Sequence, residues 1–358
     1  MSKNLIRGRL LAWMFFSLSN LALAAEPLKV GFVYVSPVGQ AGWTYQHDQA
    51  RQAMQRELGD KVVTRFVEAV PEGADAERVM RDLVAQGHKL IFATSFGYLE
   101  PALRVAADAP GVKFEHAGGY KTAANLNTYN ARFFEGRWLA GWLAGKASKS
   151  GVAGYVAGFP LPEVVQGINA FTLGMRDANP RATVRVLWLN TWFDPPKERE
   201  AALALINAGA DVLTNHSGSP AVPQAAQEKG VKLIGYQSDM RAHAPNAQLA
   251  AVTADWSGYY SRVAQSAIAG SWRAQPMWGG IKDGMVKLAA VSPALPLAVR
   301  NELAAREKRL VAGQAGPFFG RLVDQAGQLR NERGVLTDEA IARMDWFVQG
   351  VSGTLPKP

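Results

Sequence analysis

The chain contains no cysteine, and this absence excludes several classes of protein. A disulfide-stapled secreted domain needs paired thiols, so a conventional hydrophobic core must hold this fold. Lipid attachment at a lipoprotein cleavage site also needs a cysteine, and we therefore expect no lipid anchor. Histidine is scarce as well, because the five histidines are dispersed and never occur at metal-ligand spacing. We expect neither a metal site nor a cofactor.

Common catalytic and nucleic-acid-binding patterns are also missing. The sequence has no Walker-type phosphate loop and no Gly-x-Ser-x-Gly nucleophile elbow. Its 39 Lys and Arg residues outnumber 30 Asp and Glu residues, but the cations are scattered and lack interleaved aromatics. A nucleic-acid-binding surface favours clustered cations. The sequence therefore predicts a protein that is not an enzyme and does not bind nucleic acid.

The N-terminus has the pattern of an export signal. Lys3, Arg7 and Arg9 precede an apolar stretch over residues 10–23, and small residues follow at 22–25. This arrangement is typical of a cleavable secretory signal peptide. The alternative is a membrane anchor, but the apolar stretch is short for one. We predict a signal peptide over residues 1–25 and a periplasmic protein that is not lipidated.

The rest of the chain alternates between apolar strands and amphipathic helices. This alternation predicts an α/β fold with parallel sheets and right-handed crossovers. The pattern restarts near residue 152, and 358 residues are too many for one compact core, so we predict two doubly wound lobes. The predicted strands are 28–35, 62–67, 90–94, 112–116, 152–157, 184–190, 212–214, 232–235 and 249–253.

A long helix is predicted over residues 132–149, between the two runs of strands. It contains Gly136, Gly141 and Gly145 among large aromatic and aliphatic residues. Small residues at helical spacing allow a neighbouring backbone to come close. We therefore expect this helix to pack tightly, against the second lobe.

Aromatic and polar residues recur where the predicted strands end. Ligands of open α/β sheets bind beyond the carboxyl ends of the strands. Rings there could stack on a flat ligand, while carboxylates and amides fix its edges. Such a cleft suits a partly polar, uncharged ring such as a nucleobase or nucleoside. The candidate ligand-binding residues are Trp43, Asp48, Ser95, Phe96, Phe159, Asn190, Trp192, Asp239 and Trp256.

Several candidates also have a purely structural explanation. Trp43 could pack against its own helix, and Phe159 could seat the helix that follows Pro160. Asp48 lies near a helix start, where the helix dipole alone favours a carboxylate. Trp192 and Phe193 are adjacent and point in different directions, so at most one of them is expected to face a ligand.

The order of several motifs resembles the basic membrane protein family of ABC transporter substrate-binding proteins, a group similar to purine nucleoside receptors. The motifs are Lys-Val-Gly-Phe-Val at 29–33, Gly-Trp-Thr-x-x-His-Asp at 42–48, Asn-Ala-Arg-Phe-Phe-Glu-Gly at 130–136, Ile-Gly-Tyr-Gln-Ser-Asp at 234–239, and Gly-Ile-Lys-Asp-Gly at 280–284.

This resemblance implies a type I periplasmic-binding-protein fold, in which a multi-strand hinge joins the lobes. We expect a first lobe of residues 26–148 plus 254–275 and a second of 149–253 plus 276–358. The implied partners are a purine nucleoside or nucleobase and an ABC permease in the inner membrane. Asp239 matches the position that holds the ribose in many relatives.

The loop at Gly42-Trp43-Thr44 departs from the Asp-x-x-(Phe/Ser)-Asn pattern of nucleoside-binding members. The resemblance therefore leaves open a free base or another small ring. Alternative functions are a ligand-sensing receptor subunit, a binding protein for a sugar, and a nucleoside hydrolase. No clustered aspartates support the hydrolase.

Overall fold

The computed structural model describes residues 26–356, so the predicted signal peptide lies outside the described residues. Two large sheets dominate this part of the chain. The strands of the first half are β1 (Leu28–Val33), β2 (Val62–Val67), β3 (Leu90–Ala93), β4 (Lys113–Ala117), β5 (Leu126–Ala131), β6 (Val152–Ala157) and β7 (Thr183–Trp188). The later strands are β8 (Val212–His216), β9 (Lys232–Gln237), β10 (Gln248–Ala254), β11 (Met277–Gly279), β12 (Val286–Ala289), β13 (Leu322–Val323), β14 (Leu329–Asn331) and β15 (Val351–Ser352).

The first sheet has the order β11-β5-β4-β3-β1-β2 and is parallel throughout. The second has the order β12-β10-β9-β8-β6-β7-β15, and its only antiparallel pair is β10 with β12. β13 and β14 form a separate antiparallel pair.

Helices cover both faces of each sheet. They are α1 (Trp43–Leu58), α2 (Ala74–Ala85), α3 (Leu99–Asp108), α4 (Phe133–Ala147), α5 (Pro162–Ala178), α6 (Pro195–Asn207), α7 (Ala221–Lys229), α8 (Ser257–Ile268), α9 (Leu297–Val311) and α10 (Asp338–Ala342). On the first sheet α1 packs with α8 and α2 with α3; on the second, α4 packs with α5 and α6 with α7. The prediction of two doubly wound lobes is confirmed.

Successive side chains of the central strands point to opposite faces of the first sheet, and each face carries its own hydrophobic core. Phe32 and Phe92 stack at 4.7 Å between ring centroids and meet Tyr260 of α8 on one face. Ile91 and Leu83 belong to a separate buried cluster on the other face. Strands buried on both faces read as continuous apolar runs, which is why the sequence predicts them well.

The chain passes between the lobes three times. The passages follow β5 at Arg132, β10 at residues 255–256 and β11 at residues 280–285. Helix α4 packs against α5 and β10, whereas the sequence-based division kept residues up to 148 in the first lobe. Strand β11 pairs with β5 of the first sheet, whereas that division placed residue 276 onward in the second lobe.

The close packing expected of the glycine-containing helix is confirmed. A Cβ atom on Gly141 of α4 would lie 2.0 Å from the carbonyl oxygen of Phe171 in α5. Conversely, a Cβ atom on Gly174 of α5 would lie 2.0 Å from the carbonyl oxygen of Trp138. The two helix backbones are therefore in direct contact, and any side chain at either position would force them apart.

Strand β5 is an element that the sequence did not predict. Its sequence, Leu-Asn-Thr-Tyr-Asn-Ala, reads as a polar connection, yet Asn127 and Thr128 are buried. The Asn127 amide donates to Glu115 and to the Tyr259 hydroxyl, at 3.1 Å in both cases. These bonds give the Asn127 NH₂ group two acceptors inside the lobe, where a propensity argument would not place a polar side chain.

Candidate functional site

A cavity of about 720 Å³ lies between the carboxyl ends of the two sheets. The first lobe lines it with the loops after β1, β3 and β4 and with the end of β5. The second lobe contributes the start of α5, the loops after β7 and β8, and the end of β9. Residues 276–278 and residues 342–343 complete the wall. This is the position at which parallel α/β sheets bind their ligands.

Trp43 forms a ring wall on the first-lobe side. It is the first residue of α1, and its indole Nε1 donates to the carbonyl oxygen of Thr94 at 2.6 Å. That bond fixes the ring across the end of β3. Ser95 and Phe96 line the cavity beside it, and Phe96 lies 6.0 Å from the ring of Tyr120, also a lining residue.

A fully buried aromatic cluster supports this wall from behind. Trp256 is stacked on His47 at 5.0 Å and meets Trp43 edge-on at 5.8 Å. Trp256 is therefore a supporting residue and does not line the cavity, in contrast to the sequence-based expectation. Burial alone holds the pKa of His47 well below its usual range, so this imidazole is neutral.

The second lobe faces Trp43 with three further rings, those of Trp192, His216 and Tyr236. Phe159 does not line the cavity but packs against Trp192 at 4.8 Å and supports it. Of the adjacent pair at 192–193, Trp192 alone lines the cavity, as expected.

A buried guanidinium underlies the ring of Tyr236. Arg137 of α4 is completely buried, and its Cζ lies 3.6 Å from the ring centroid of Tyr236. It donates to the Thr214 hydroxyl at 2.8 Å and to the carbonyl oxygen of Asn215 at 2.7 Å. This places a fixed positive charge directly beneath one wall of the cavity.

Glu163 is the carboxylate of the cavity. It lies in the first turn of α5, where its Oε2 accepts from the Asn130 amide at 2.7 Å. Its Oε1 lies 3.6 Å from Nε2 of His216. Burial raises the pKa of Glu163 to about 7, while the Asn130 hydrogen bond and the Arg137 charge oppose that shift. Glu163 therefore titrates near neutral pH.

His216 is neutral in this setting. Burial and then the charge of Arg137 hold its pKa well below the usual range. Nε2 of His216 lies 3.3 Å from the Tyr236 hydroxyl, and Nδ1 finds no partner among residues 26–356. The ring is therefore a neutral surface with one unused nitrogen.

Gln237 lines the cavity with an unusual backbone. Its φ of 63° is in the left-handed region, which costs about 1–3 kcal/mol for such a residue. Its side chain is 2% exposed, and Oε1 has no hydrogen-bond partner among residues 26–356. A strained backbone and a buried amide oxygen without a partner therefore occur together at the end of β9.

Three of the predicted polar residues do not line the cavity. Asp48 is a buried residue of α1, and it accepts from Arg51 at 2.7 Å and from Gln52 at 2.6 Å. Asp239 forms an ion pair with Arg241 and accepts from the Gln248 amide at 2.8 Å. Asn190 is exposed, with a φ of 54° in its loop.

The structure thus brings together Trp43, Ser95, Phe96 and Trp192 of the predicted set. Glu163 was missed because the candidates were sought at strand ends. Carboxylates near helix starts were explained by their favourable interaction with the helix dipole. Gln237 was passed over for Asp239, two residues later. A carboxylate in the helix turn that follows a strand-end loop is the signal that could have found Glu163.

Within residues 26–356, no cluster of three or more His, Asp and Glu side chains is placed to hold a metal ion. In the same range, no helix has the length and apolar character needed to cross a membrane.

Comparisons with known proteins agree with this architecture. The family model of PnrA-like ABC transporter substrate-binding proteins, Bmp, matches residues 28–314. A purine-binding protein of Brucella abortus is 48% identical over 343 residues, which is 96% of this chain and 98% of that protein. A Haloferax volcanii protein provisionally named an ABC transporter glucose-binding protein is 38% identical over 92% of this chain and 82% of its own.

Solved structures show the same fold. A solute-binding protein of an ABC transporter system from Conexibacter woesei has a TM-score of 0.66 at 22% identity, covering 80% of this chain and 97% of its own. One from Aeropyrum pernix has a TM-score of 0.69 at 18% identity, with coverages of 80% and 92%. The fold is the type I periplasmic-binding-protein fold. On the family model and the extent of the sequence identity, this chain belongs to the basic membrane protein family of PnrA-like ABC transporter substrate-binding proteins.

Proposed function

We propose that this substrate-binding protein captures a purine nucleobase or nucleoside between its lobes and delivers it to an ABC permease. The observation that carries the proposal is the pairing of stacking rings with one carboxylate in a single cavity. Trp43 and Trp192 line the cavity with partly exposed indoles on which a flat ring can stack, and Glu163 can accept hydrogen bonds from ring N–H or amino groups. The purine-binding relative from Brucella supports the same ligand class.

Ribose recognition has less support than base recognition. Asp239, which the family resemblance matched to a ribose-holding position, is engaged by Arg241 and lies outside the cavity wall. The amide oxygen of Gln237 has no partner among residues 26–356, but it is buried and is therefore not an exposed acceptor for a ribose hydroxyl. We therefore place the free base ahead of the nucleoside.

Hinge closure supplies the mechanism. We propose a first lobe of residues 26–131 plus 257–279 and a second of 133–254 plus 286–356, joined by the three passages. Because the cavity wall comes from both lobes, a ligand makes its full set of contacts only when they are together. Ligand binding therefore favours the closed form.

We infer that residues 1–25 direct export to the periplasm, that the mature chain carries no lipid, and that the protein binds its ligand without converting it. The family is a binding component of transporters, which supports this assignment. A role in ligand sensing would use the same closure and the same cavity.

Calorimetry tests the ligand class. The purified protein is titrated with hypoxanthine, adenine, inosine, a pyrimidine base and glucose. We expect saturable binding of at least one purine and none of glucose. Glucose is the informative competitor because a relative is provisionally named for it, and its binding in the absence of purine binding would refute the proposal. Recovery of the unaltered ligand by mass spectrometry excludes hydrolysis.

A further inference from the structure

The cavity has a cationic side chain that the family-level comparison does not explain. Arg343 lines the cavity together with Ala342, on a segment that follows residue 314, where the match to the family model ends. Lys and Arg residues are otherwise absent from the described lining, whose other ionisable groups are Glu163, neutral His216 and three tyrosines. One positive charge therefore faces the ligand space.

The backbone on both sides of Arg343 is fixed against the second lobe. The carbonyl oxygen of Ile341 accepts from the Gln166 amide at 2.7 Å, and that of Trp346 accepts from Asn169 at 2.7 Å. Met344, between these two points, is 1% exposed. Arg343 is held at the cavity by its neighbours, so its position does not depend on its own side chain.

A second anchor ties the start of this segment to the hinge. Asp338 of α10 forms a two-pronged ion pair with Arg132, the residue at the first passage between the lobes. The Arg132 guanidinium lies 4.4 Å from the ring centroid of Trp278, which itself lines the cavity. The segment is thus part of the built wall and not a loose tail.

The guanidinium of Arg343 is available for a ligand. Within residues 26–356 it makes no ion pair and no hydrogen bond, and the residue is exposed. Gln166, which binds the carbonyl of Ile341, lies one turn along α5 from Glu163. The cavity wall therefore has an acceptor for N–H groups at the start of α5 and, on the segment that Gln166 of α5 anchors, a forked donor that suits oxyanions.

We propose that Arg343 forms a second subsite of the cavity, which binds an anionic group carried by the purine ligand. The inference rests on the proposed function and deepens it. A cavity of about 720 Å³ is within the range that holds ligands larger than a single base. The anionic group is either a phosphate, as in a nucleoside monophosphate, or an ionised oxygen-bearing ring, as in urate.

The test compares matched neutral and anionic ligands by calorimetry. Inosine is paired with inosine 5′-monophosphate, and hypoxanthine with urate, on the parent protein and on Arg343→Gln. Arg333→Gln is the control, because Arg333 is an exposed arginine on the same segment and does not line the cavity. We expect at least one anionic ligand to bind about tenfold tighter than its neutral partner in the parent and control.

The two variants show whether Arg343 causes the preference for the anionic ligand. We expect Arg343→Gln to abolish it while leaving the affinity for the neutral partner within about twofold, and 0.5 M salt to reduce it. If only inosine 5′-monophosphate binds tighter than its neutral partner, Arg343 binds a phosphate carried away from the ring. If only urate does, Arg343 binds a charge on the ring itself.

Two results would overturn the proposal in different ways. If neutral purines bind but neither anionic ligand binds tighter, or if Arg343→Gln retains the preference, Arg343 has no such role and the proposed function stands. If no purine of either kind binds, the proposed function fails and the subsite fails with it.

Discussion

Gly42 of the first lobe and Gly218 of the second meet at the edge of the cavity, so closely that a Cβ atom on Gly42 would lie 2.4 Å from the carbonyl oxygen of Gly218. The backbone N–H of Gly42 also donates to the Ser238 hydroxyl at 2.9 Å, as does the Gln46 amide. The loop after β1 therefore touches two loops of the second lobe directly, and the lobes are closed at this point.

Gly42→Ala should weaken ligand binding by preventing this contact. The added methyl group would overlap Gly218, so the closed form becomes less populated and the apparent dissociation constant rises in proportion, by about tenfold or more. Calorimetry with the tightest purine measures the effect. Gly39→Ala is a matched control, because Gly39 has a positive φ in the same loop but no atom within 4 Å of its Cβ position. Equal losses in both variants would show that backbone strain, not lobe contact, is responsible.

The strands and rings of this protein are predictable where the chain is apolar or aromatic. β2 and β6 have the predicted bounds, and Trp43 and Trp192, two of the candidate ligand-binding residues, line the cavity. Strand β5 was missed because its buried Asn127 is stabilised by hydrogen bonds to Glu115 and Tyr259, which lie on other elements. No local pattern encodes such a bond.

The polar part of the site was less predictable for the same reason. Asp48 and Asp239 have the right residue type at the right kind of position, but neighbouring cations and amides already occupy their carboxylates. Whether a carboxylate is free depends on partners that are distant in sequence, and the same holds for rings, because Phe159 and Trp256 pack behind Trp192 and Trp43 and do not line the cavity.

Trp43→Ala should weaken purine binding, whereas Asp239→Asn should not. The indole provides a stacking face, and its loss is expected to cost about 1–3 kcal/mol of binding free energy, or roughly 5- to 150-fold in affinity. Asp239 does not line the cavity, so its variant should bind within about twofold of the parent. Calorimetry at one pH compares the three proteins, with thermal unfolding as a check that each is folded. A large loss for Asp239→Asn would return that residue to the site.

Glu163 should make purine affinity depend on pH near neutrality. The ionised carboxylate accepts N–H groups, and burial raises its pKa to about 7, so the fraction in the accepting form falls as the pH drops below that value. Affinity should rise from pH 6 to pH 8 and then level off. His216 stays neutral throughout, because burial and the Arg137 charge hold its pKa well below the usual range.

Glu163→Gln should flatten this profile and weaken binding at pH 8 by about tenfold or more, because a charge-assisted hydrogen bond contributes roughly 1.5–3 kcal/mol. The glutamine can still accept from Asn130, which preserves the local wall. Titrations at pH 6, 7 and 8 on both proteins measure the effect. A parent profile without slope would mean that Glu163 does not accept a hydrogen bond from the ligand.

Glu115 should make the folded protein less stable as the pH rises. It is fully buried in the first lobe, where it accepts from the Tyr259 hydroxyl at 2.6 Å and from the Trp272 indole at 2.7 Å. Burial nevertheless raises its pKa from 4.5 to about 7. The native state therefore holds this proton more tightly than the unfolded state. The stabilisation is complete below about pH 4.5 and is lost as the pH rises through about 7, with a total of roughly 3 kcal/mol for this group.

Urea unfolding of the parent and of Glu115→Gln at pH 5, 6, 7 and 8 measures this contribution. The glutamine cannot ionise, so its free energy of unfolding should fall less between pH 5 and pH 8 than that of the parent. At pH 5 the variant should be less stable than the parent. Its NH₂ group would face a group that donates a hydrogen bond to Glu115, and an NH₂ group cannot accept that bond. Glu163→Gln provides the comparison, since the pKa of Glu163 is also raised to about 7 and its loss should remove a separate part of the same slope. Parallel curves for the parent and Glu115→Gln would mean that Glu115 does not change its protonation on unfolding in this range.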